Sequence, residues 1–307
     1  MQYGFSIKRK CYLLSVLLMT VWLTGCVQEE FESTPSPAGN GIRFTLTVPD
    51  VNLPSVSSRT MTGTGTAKKE DEIETVDILV FDMSKTPAVF LEWVSATGVT
   101  QDLADNSTVS FSAVLSPTTA STCIVVVANK ELDNIVPGFI KGTTTKVEAM
   151  EKMLHTQTGK WLADGSTTGG YTRIPMYGEK VISKITPSMN PITDINMKRM
   201  LARIDIRNNS VTSNFTVEEV YLANYNTTGY IAPAWNTNGQ VTDPVPDTPV
   251  LPAGSGKKTE EGDAILYSVN GNTPYDGEIY TFESLAAGDA GVWDKTEKRA
   301  VKMLLAR

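Results

Sequence analysis

The residues in this sequence with the type and setting for chemistry are Cys26, Arg59, Asp82, Cys123 and His155. Cys26 closes the run Leu23-Thr24-Gly25-Cys26, behind Lys8-Arg9-Lys10 and the apolar stretch Tyr12 to Trp22. A basic start, a short apolar region and small residues before the cut make a secretory signal peptide, too short to span a bilayer as a helix. The cysteine turns this pattern into a lipobox, the kind of site at which bacterial signal peptidase II cuts. Residues 1–25 are then the lipoprotein signal peptide, and Cys26 is the new N-terminus, carrying palmitate-type acyl chains that anchor the protein outside the cytoplasm. Each buried methylene contributes roughly 0.8 kcal/mol, and two chains already hold a protein stably.

The other chemistry is weaker. Cys11 leaves with the signal peptide and Cys26 carries lipid, so Cys123 is the one thiol of the mature body and cannot close an internal disulfide. Its setting, Cys123-Ile124-Val125-Val126-Val127-Ala128, reads as a buried strand, where a small hydrophobe is favoured over a nucleophile. His155 is the sole histidine, which excludes a His-rich metal site. Asp82-Met83-Ser84-Lys85-Thr86 resembles the nucleophile loop of haloacid-dehalogenase phosphotransferases. That chemistry needs an acid/base group where Ser84 stands, downstream acidic Mg²⁺ ligands and alternating strands and helices. None of these stands out, so Asp82 reads as a solvated strand end. No catalysis, cofactor or metal is expected.

Composition is that of a folded chain. The chain is 41% hydrophobic and 20% charged, with a net charge of −7 that argues against nucleic acid or anionic membrane surfaces as partners. Trp93, Trp161, Trp235 and Trp293 could serve as sugar platforms. A glycan-binding surface lipoprotein is therefore the alternative reading.

The elements that must position these residues read mostly as strands. Residues 26–40 are polar and Pro-containing, a flexible tether. Gln28-Glu29-Glu30 resembles the acidic tracts that send Bacteroidota lipoproteins to the cell surface. Ile42, Phe44, Leu46 and Val48 alternate with polar residues as a half-buried strand. Residues 55–71 lose periodicity in a Ser/Thr/Gly-rich loop holding Arg59, Lys68 and Lys69. Further strands are expected within Glu72–Asp82, Val89–Val94, Thr108–Leu115, Cys123–Ala128, Ile174–Glu179, Met197–Asn208, Phe215–Tyr225, Ala264–Val269, Glu278–Glu283 and Ala300–Arg307. One helix, capped by Thr144 or Thr145, should turn Val147, Met150 and Leu154 inward. The pattern is all-β, with one or two short helices, in two sandwiches: an N-terminal one over 41–210 and a C-terminal one over 211–307. Val80, Phe81, Val125, Val127, Ile204 and Ile206 should be largely buried.

Four stretches carry a family resemblance: Glu72 to Asp82; Ile174-Pro175-Met176-Tyr177-Gly178-Glu179; Arg199-Met200-Leu201-Ala202-Arg203-Ile204-Asp205-Ile206; and Val220-Tyr221-Leu222-Ala223-Asn224 with Gly229-Tyr230-Ile231-Ala232-Pro233. Their order behind a lipobox is similar to the Bacteroidota fimbrillins, FimA/Mfa-like lipoproteins that build type V pili. The resemblance implies two tandem transthyretin-like β-sandwich domains, exported as a lipidated precursor to the outer membrane. It also implies assembly by donor-strand exchange. An Arg-specific, trypsin-like protease removes the N-terminal segment with the first strand, and a strand of another fimbrillin subunit fills the groove.

Mapped onto this chain, Ile42, Phe44, Leu46 and Val48 form the displaced strand and Arg59 is the processing site, with Arg43, Lys68 and Lys69 as rival basic positions. Four such side chains bury roughly 8 kcal/mol in gross terms at about 2 kcal/mol each, so cutting alone should not expel the strand. The expected role is a fimbrium subunit contributing to cell adhesion, with host surface ligands as further partners. The chain stops at Leu304-Leu305-Ala306-Arg307 inside a strand pattern, without the C-terminal donor segment of fimbrillins. The expectation is a shortened second sandwich.

Overall fold

A computed structural model describes residues 42–47, 71–101, 108–161, 172–204, 219–222, 225–242, 250–254, 265–268 and 279–283. All of them belong to one compact unit, Asn40–Arg307. In chain order the first strands are β1 (Ile42–Thr47), β2 (Val76–Asp82), β3 (Val89–Ser95), β4 (Thr97–Gln101), β5 (Thr108–Ala113) and β6 (Thr122–Ala128). Then come helix α1 (Lys146–Lys152), β7 (Leu154–Thr156), β8 (Met176–Ile182), β9 (Ile192–Asn196) and β10 (Lys198–Arg199). The later strands are β11 (Ala202–Ile204), β12 (Glu219–Leu222), β13 (Thr228–Tyr230), β14 (Ile265–Ser268) and β15 (Ile279–Thr281).

A four-stranded sheet, β4-β5-β1-β9, faces a five-stranded sheet, β10-β8-β6-β2-β3. Both arise from side-chain period. On β1, β5 and β9 the inward positions are apolar and the outward ones polar, so one face packs and the other meets water. On β2 and β6 nearly every residue is buried, because the five-stranded sheet is covered on both faces. Its inner face places Ile78, Val80, Ile124, Val126 and Met176 against Phe44, Leu46, Val109 and Phe111. Its outer face places Leu79, Phe81, Val125, Val127 and Tyr177 under Met150, Phe139, Trp161, Ile231, Tyr280 and Phe282.

The chain changes sheets within β9–β10, and Gly178 makes the crossing possible. A Cβ there would lie 2.6 Å from Met197 Sδ and 2.9 Å from Ile195 Cγ2, closer than packing allows. The remaining described strands form three pairs, β11–β15, β12–β14 and β13–β7, all antiparallel. Ile204 and Ile279 pack together there with Leu222 and Ile265.

The architecture is all-β with one short helix among the described residues, as the sequence predicts. Val80, Phe81, Val125, Val127 and Ile204 are buried as expected, and Ile206 lies outside the described residues. The helix differs in detail. Thr145 is its N-cap and forms a capping box with Glu148. Its buried residues are Lys146, Ala149 and Met150, while Leu154 belongs to β7. The expected boundary near residue 210 lies outside the described residues.

Candidate functional site

The first described strand sits in the middle of its sheet. β1 pairs antiparallel with β5 along its whole length, from Ile42 opposite Ala113 to Thr47 opposite Thr108. On its other side it runs parallel to β9, with Phe44 opposite Ile192 and Leu46 opposite Ile195. Two steps on β1 thus match three on β9, a bulge at which Asp194 takes a left-handed φ of 60°. The Thr193 hydroxyl donates to Asp194 Oδ2, and an aspartate tolerates this backbone better than most residues.

Ile42, Phe44 and Leu46 all point into the sandwich, and the latter two are fully buried. Phe44 stacks on Phe111 with ring centroids 5.1 Å apart and planes 7° from parallel. Three such side chains contribute about 6 kcal/mol of gross burial at about 2 kcal/mol each. Lifting β1 out would expose an apolar slot between two strands with unpaired backbone along both walls, which is an acceptor for another strand. The outer edge of β9 is less inviting. Lys180 reaches from β8 to the Thr193 carbonyl and the Asp194 carboxylate.

The structure brings together the described part of the expected displaced strand, Ile42, Phe44 and Leu46. Val48, Arg59 and Cys26 lie outside the described residues. The remaining chemical candidates have local roles. The Asp82 carboxylate accepts from the Ser84 amide at 2.8 Å, and its hydrogen bonds with Ser84 lower its pKa. It shapes the turn after β2. Burial pushes the Cys123 thiol up to about 12, which keeps it protonated and a poor nucleophile. His155 packs 4.9 Å from the Trp161 ring, and burial, with Lys130 nearby, lowers it to about 4. Trp161 is buried and donates its Nε1 hydrogen to the Thr172 carbonyl, so it is a core anchor. Trp235 stands edge-on to Tyr230 at 4.9 Å, both half-buried, and Trp293 lies outside the described residues.

Two polar groupings escape the sequence pattern. On the outer face of the five-stranded sheet, Lys146 is buried and its Nζ lies 2.6 Å from Glu179 Oε2, which also accepts from the Tyr177 hydroxyl. Burial first, then the Glu179 charge, raise the Tyr177 pKa well above its ordinary range. At the end of the sandwich, Asp71 to Glu74 is held by Gln101, Asn129, Arg173 and Arg199. Its one sequence-level signal is the density of acidic residues in Glu70-Asp71-Glu72 and Glu74. Among the described residues no cluster of three or more His, Cys, Asp or Glu could hold a metal, and no helix is long and apolar enough to cross a membrane.

Comparison with solved structures finds a fimbrial assembly protein from Parabacteroides distasonis, 12% identical, over 81% of this chain and 78% of that one, with a TM-score of 0.38. A protein from the same organism assigned to cell adhesion is 15% identical over 82% and 73%, with a TM-score of 0.43. A Bacteroides thetaiotaomicron protein described as polysaccharide-binding is 11% identical over 78% and 70%, with a TM-score of 0.33. Comparison with curated proteins gives no match. Residues 34–287 match the family of "Fimbrillin-A associated anchor proteins Mfa1 and Mfa2". That match spans most of the sequence, and the chain belongs to this family of cell-surface fimbrial proteins.

Proposed function

We propose that this chain is a structural subunit of a type V pilus, exported as a lipoprotein and assembled by protease-triggered donor-strand exchange with other fimbrillin subunits. The observation that carries the reading is the position of β1. It is the first strand of the described fold, yet it lies between β5 and β9 at the centre of a sheet. A single cut in residues 48–70 would free it from everything downstream. Arg59 is the proposed cut and Cys26 the proposed lipid anchor to the outer membrane. The division into sandwiches over 41–210 and 211–307 belongs to the same proposal.

The mature N-terminus separates two places in the fibre. A retained, acylated Cys26 holds the chain at the membrane as an anchor, which the family's description favours. A new N-terminus at Thr60 places it in the shaft. Purified precursor is digested with limiting trypsin and the stable core is sequenced from its N-terminus. A synthetic donor strand is then added, and release of residues 27–59 is followed by mass spectrometry. First cuts away from Arg59 remove it as the processing site, and failure of any donor to displace the fragment removes the polymerising role. Cys26→Ala should abolish partitioning into detergent, and a variant that stays membrane-bound refutes the lipid anchor. The half-buried Tyr230–Trp235 pair supports glycan binding as a second reading, tested on a glycan array with the recombinant body.

A further inference from the structure

Removal of β1 raises a mechanical problem. The chain that leads out of the groove continues into β2, the strand flanked by β6 and β3 and buried on both faces. Something must keep the loss of β1 from propagating into β2. Asp71–Glu74 stands at that point, and it is held by side chains from several distant elements.

The Ile73 amide donates to Gln101 Oε1 at 3.0 Å, and Gln101 Nε2 donates back to the Asp71 carbonyl at 2.6 Å. The Glu74 amide donates to Asn129 Oδ1 at 3.0 Å, and Asn129 Nδ2 donates to the carbonyls of Glu72 and Ile174 at 2.8 and 3.0 Å. Asn129 does this from a left-handed backbone, φ 58°, while its own amide donates to the Thr75 carbonyl. Arg173 bridges Glu72 at 3.3 Å and Glu74 at 2.6 Å, and Arg199 pairs with Asp71. Between them the Ile73 side chain is buried in the inner core. Backbone and side chains are thus fixed together.

None of these partners lies on β1. Gln101 ends β4, Asn129 follows β6, Arg173 precedes β8 and Arg199 ends β10. The clamp's hydrogen bonds and ion pairs therefore involve no β1 residue, and only the packing of Ile73 is shared with Ile42, Phe44 and Leu46. We propose that Asp71–Glu74 is a built-in stop: the exchangeable part of the chain ends at residue 70, and the permanent core begins at Asp71. This rests on the exchange reading above. It also makes the core indifferent to which basic residue before it is cut, since Arg59, Lys68 and Lys69 all precede the stop.

The test is residue-resolved hydrogen–deuterium exchange on the purified full-length chain. It is read before cleavage, after limiting trypsin, and after adding an excess of mass-labelled synthetic peptide with the sequence of residues 41–49. In the native sequence the Ile73 and Glu74 amides should keep their protection within about twofold in all three states, while β1 amides lose theirs on displacement. Gln101→Ala should lower protection of the Ile73 amide by roughly tenfold, and Asn129→Ala should do the same at Glu74. Gln101 ends the edge strand β4, so its variant keeps the test available if Asn129→Ala fails to fold. Loosening of Ile73 and Glu74 together with β1 in the native sequence overturns the stop, as does unchanged protection in Gln101→Ala. Uptake of the labelled peptide is a separate reading. Its failure counts against strand exchange; the stop is then decided on the uncut chain, where unchanged protection of the Ile73 amide in Gln101→Ala overturns it.

Discussion

The two faces of the five-stranded sheet are covered in different ways. The inner face meets a regular sheet across a cluster of apolar side chains, and β1, inside that sheet, is the first described strand. The outer face meets a layer assembled from α1, the turn at Val136–Gly138, Trp161, Ile231 and the late residues Tyr280 and Phe282. Lys146 of that layer is buried and pairs with the half-buried Glu179 of β8. A layer whose inner strand precedes every other described strand can lose it to a single cut and stay connected. A layer stitched from many segments comes off only by unfolding the molecule. Exchangeability is thus a property of connectivity more than of contact strength.

The sharpest test of this contrast is Phe44→Ala. It should lower the stability of the intact chain by about 3–5 kcal/mol, read from urea midpoints, and speed displacement of β1 by a donor peptide. On the other face, Glu179→Ala leaves Lys146 buried without its carboxylate and should cost roughly 3 kcal/mol, with no change in the rate of strand displacement. The double variant Lys146→Met, Glu179→Leu should recover most of that loss, because an apolar pair needs no desolvation. If Glu179→Ala also accelerates β1 release, the two faces are coupled and the contrast fails.

His155 tests the outer layer by pH. Its ring stays neutral in the fold down to about 4, while an unfolded histidine takes a proton below about 6.5. The unfolded chain therefore binds the extra proton in that interval, so stability is full above pH 6.5, declines toward pH 4 and levels off below it. The loss should be about 1–2 kcal/mol, allowing for the ring's partial exposure, and His155→Phe should remove it from a urea series across pH. Smallest is Thr145→Ala, which removes the helix cap for about 1 kcal/mol in thermal unfolding.

The strands that could be read from sequence are those with an unbroken period. β1 and β5 alternate, and β2 and β6 are continuous apolar runs. β4 and β9 lack such a period. Thr97-Gly98-Val99-Thr100-Gln101 is an exposed edge, and the bulge at Asp194 breaks the alternation of β9. Burial of Lys146 could not be foreseen, because its partner lies 33 residues away on another element. The Asp71–Glu74 contacts span from 28 residues, between Ile73 and Gln101, to 128, between Asp71 and Arg199. Periodicity reports which face a side chain takes, whereas such pairings depend on how distant elements meet. The proposed lipobox and loop arginine are legible as motifs because sites of those kinds are read by other enzymes as short sequences.

The mixed pairing of β1 has a consequence for polarity. Its neighbours run in opposite senses, one antiparallel and one parallel. A replacement strand entering in either direction would meet one neighbour of each sense and find a complete set of backbone partners. In the proposed fibre, hydrogen bonding thus leaves the head-to-tail sense undecided. That choice passes to the asymmetric features of the slot: the flat aromatic surface of Phe111, the small Ala113 at one end and the extra residue at Asp194. A direction encoded there can be rewritten by changing side chains alone, with the sheet left as it is.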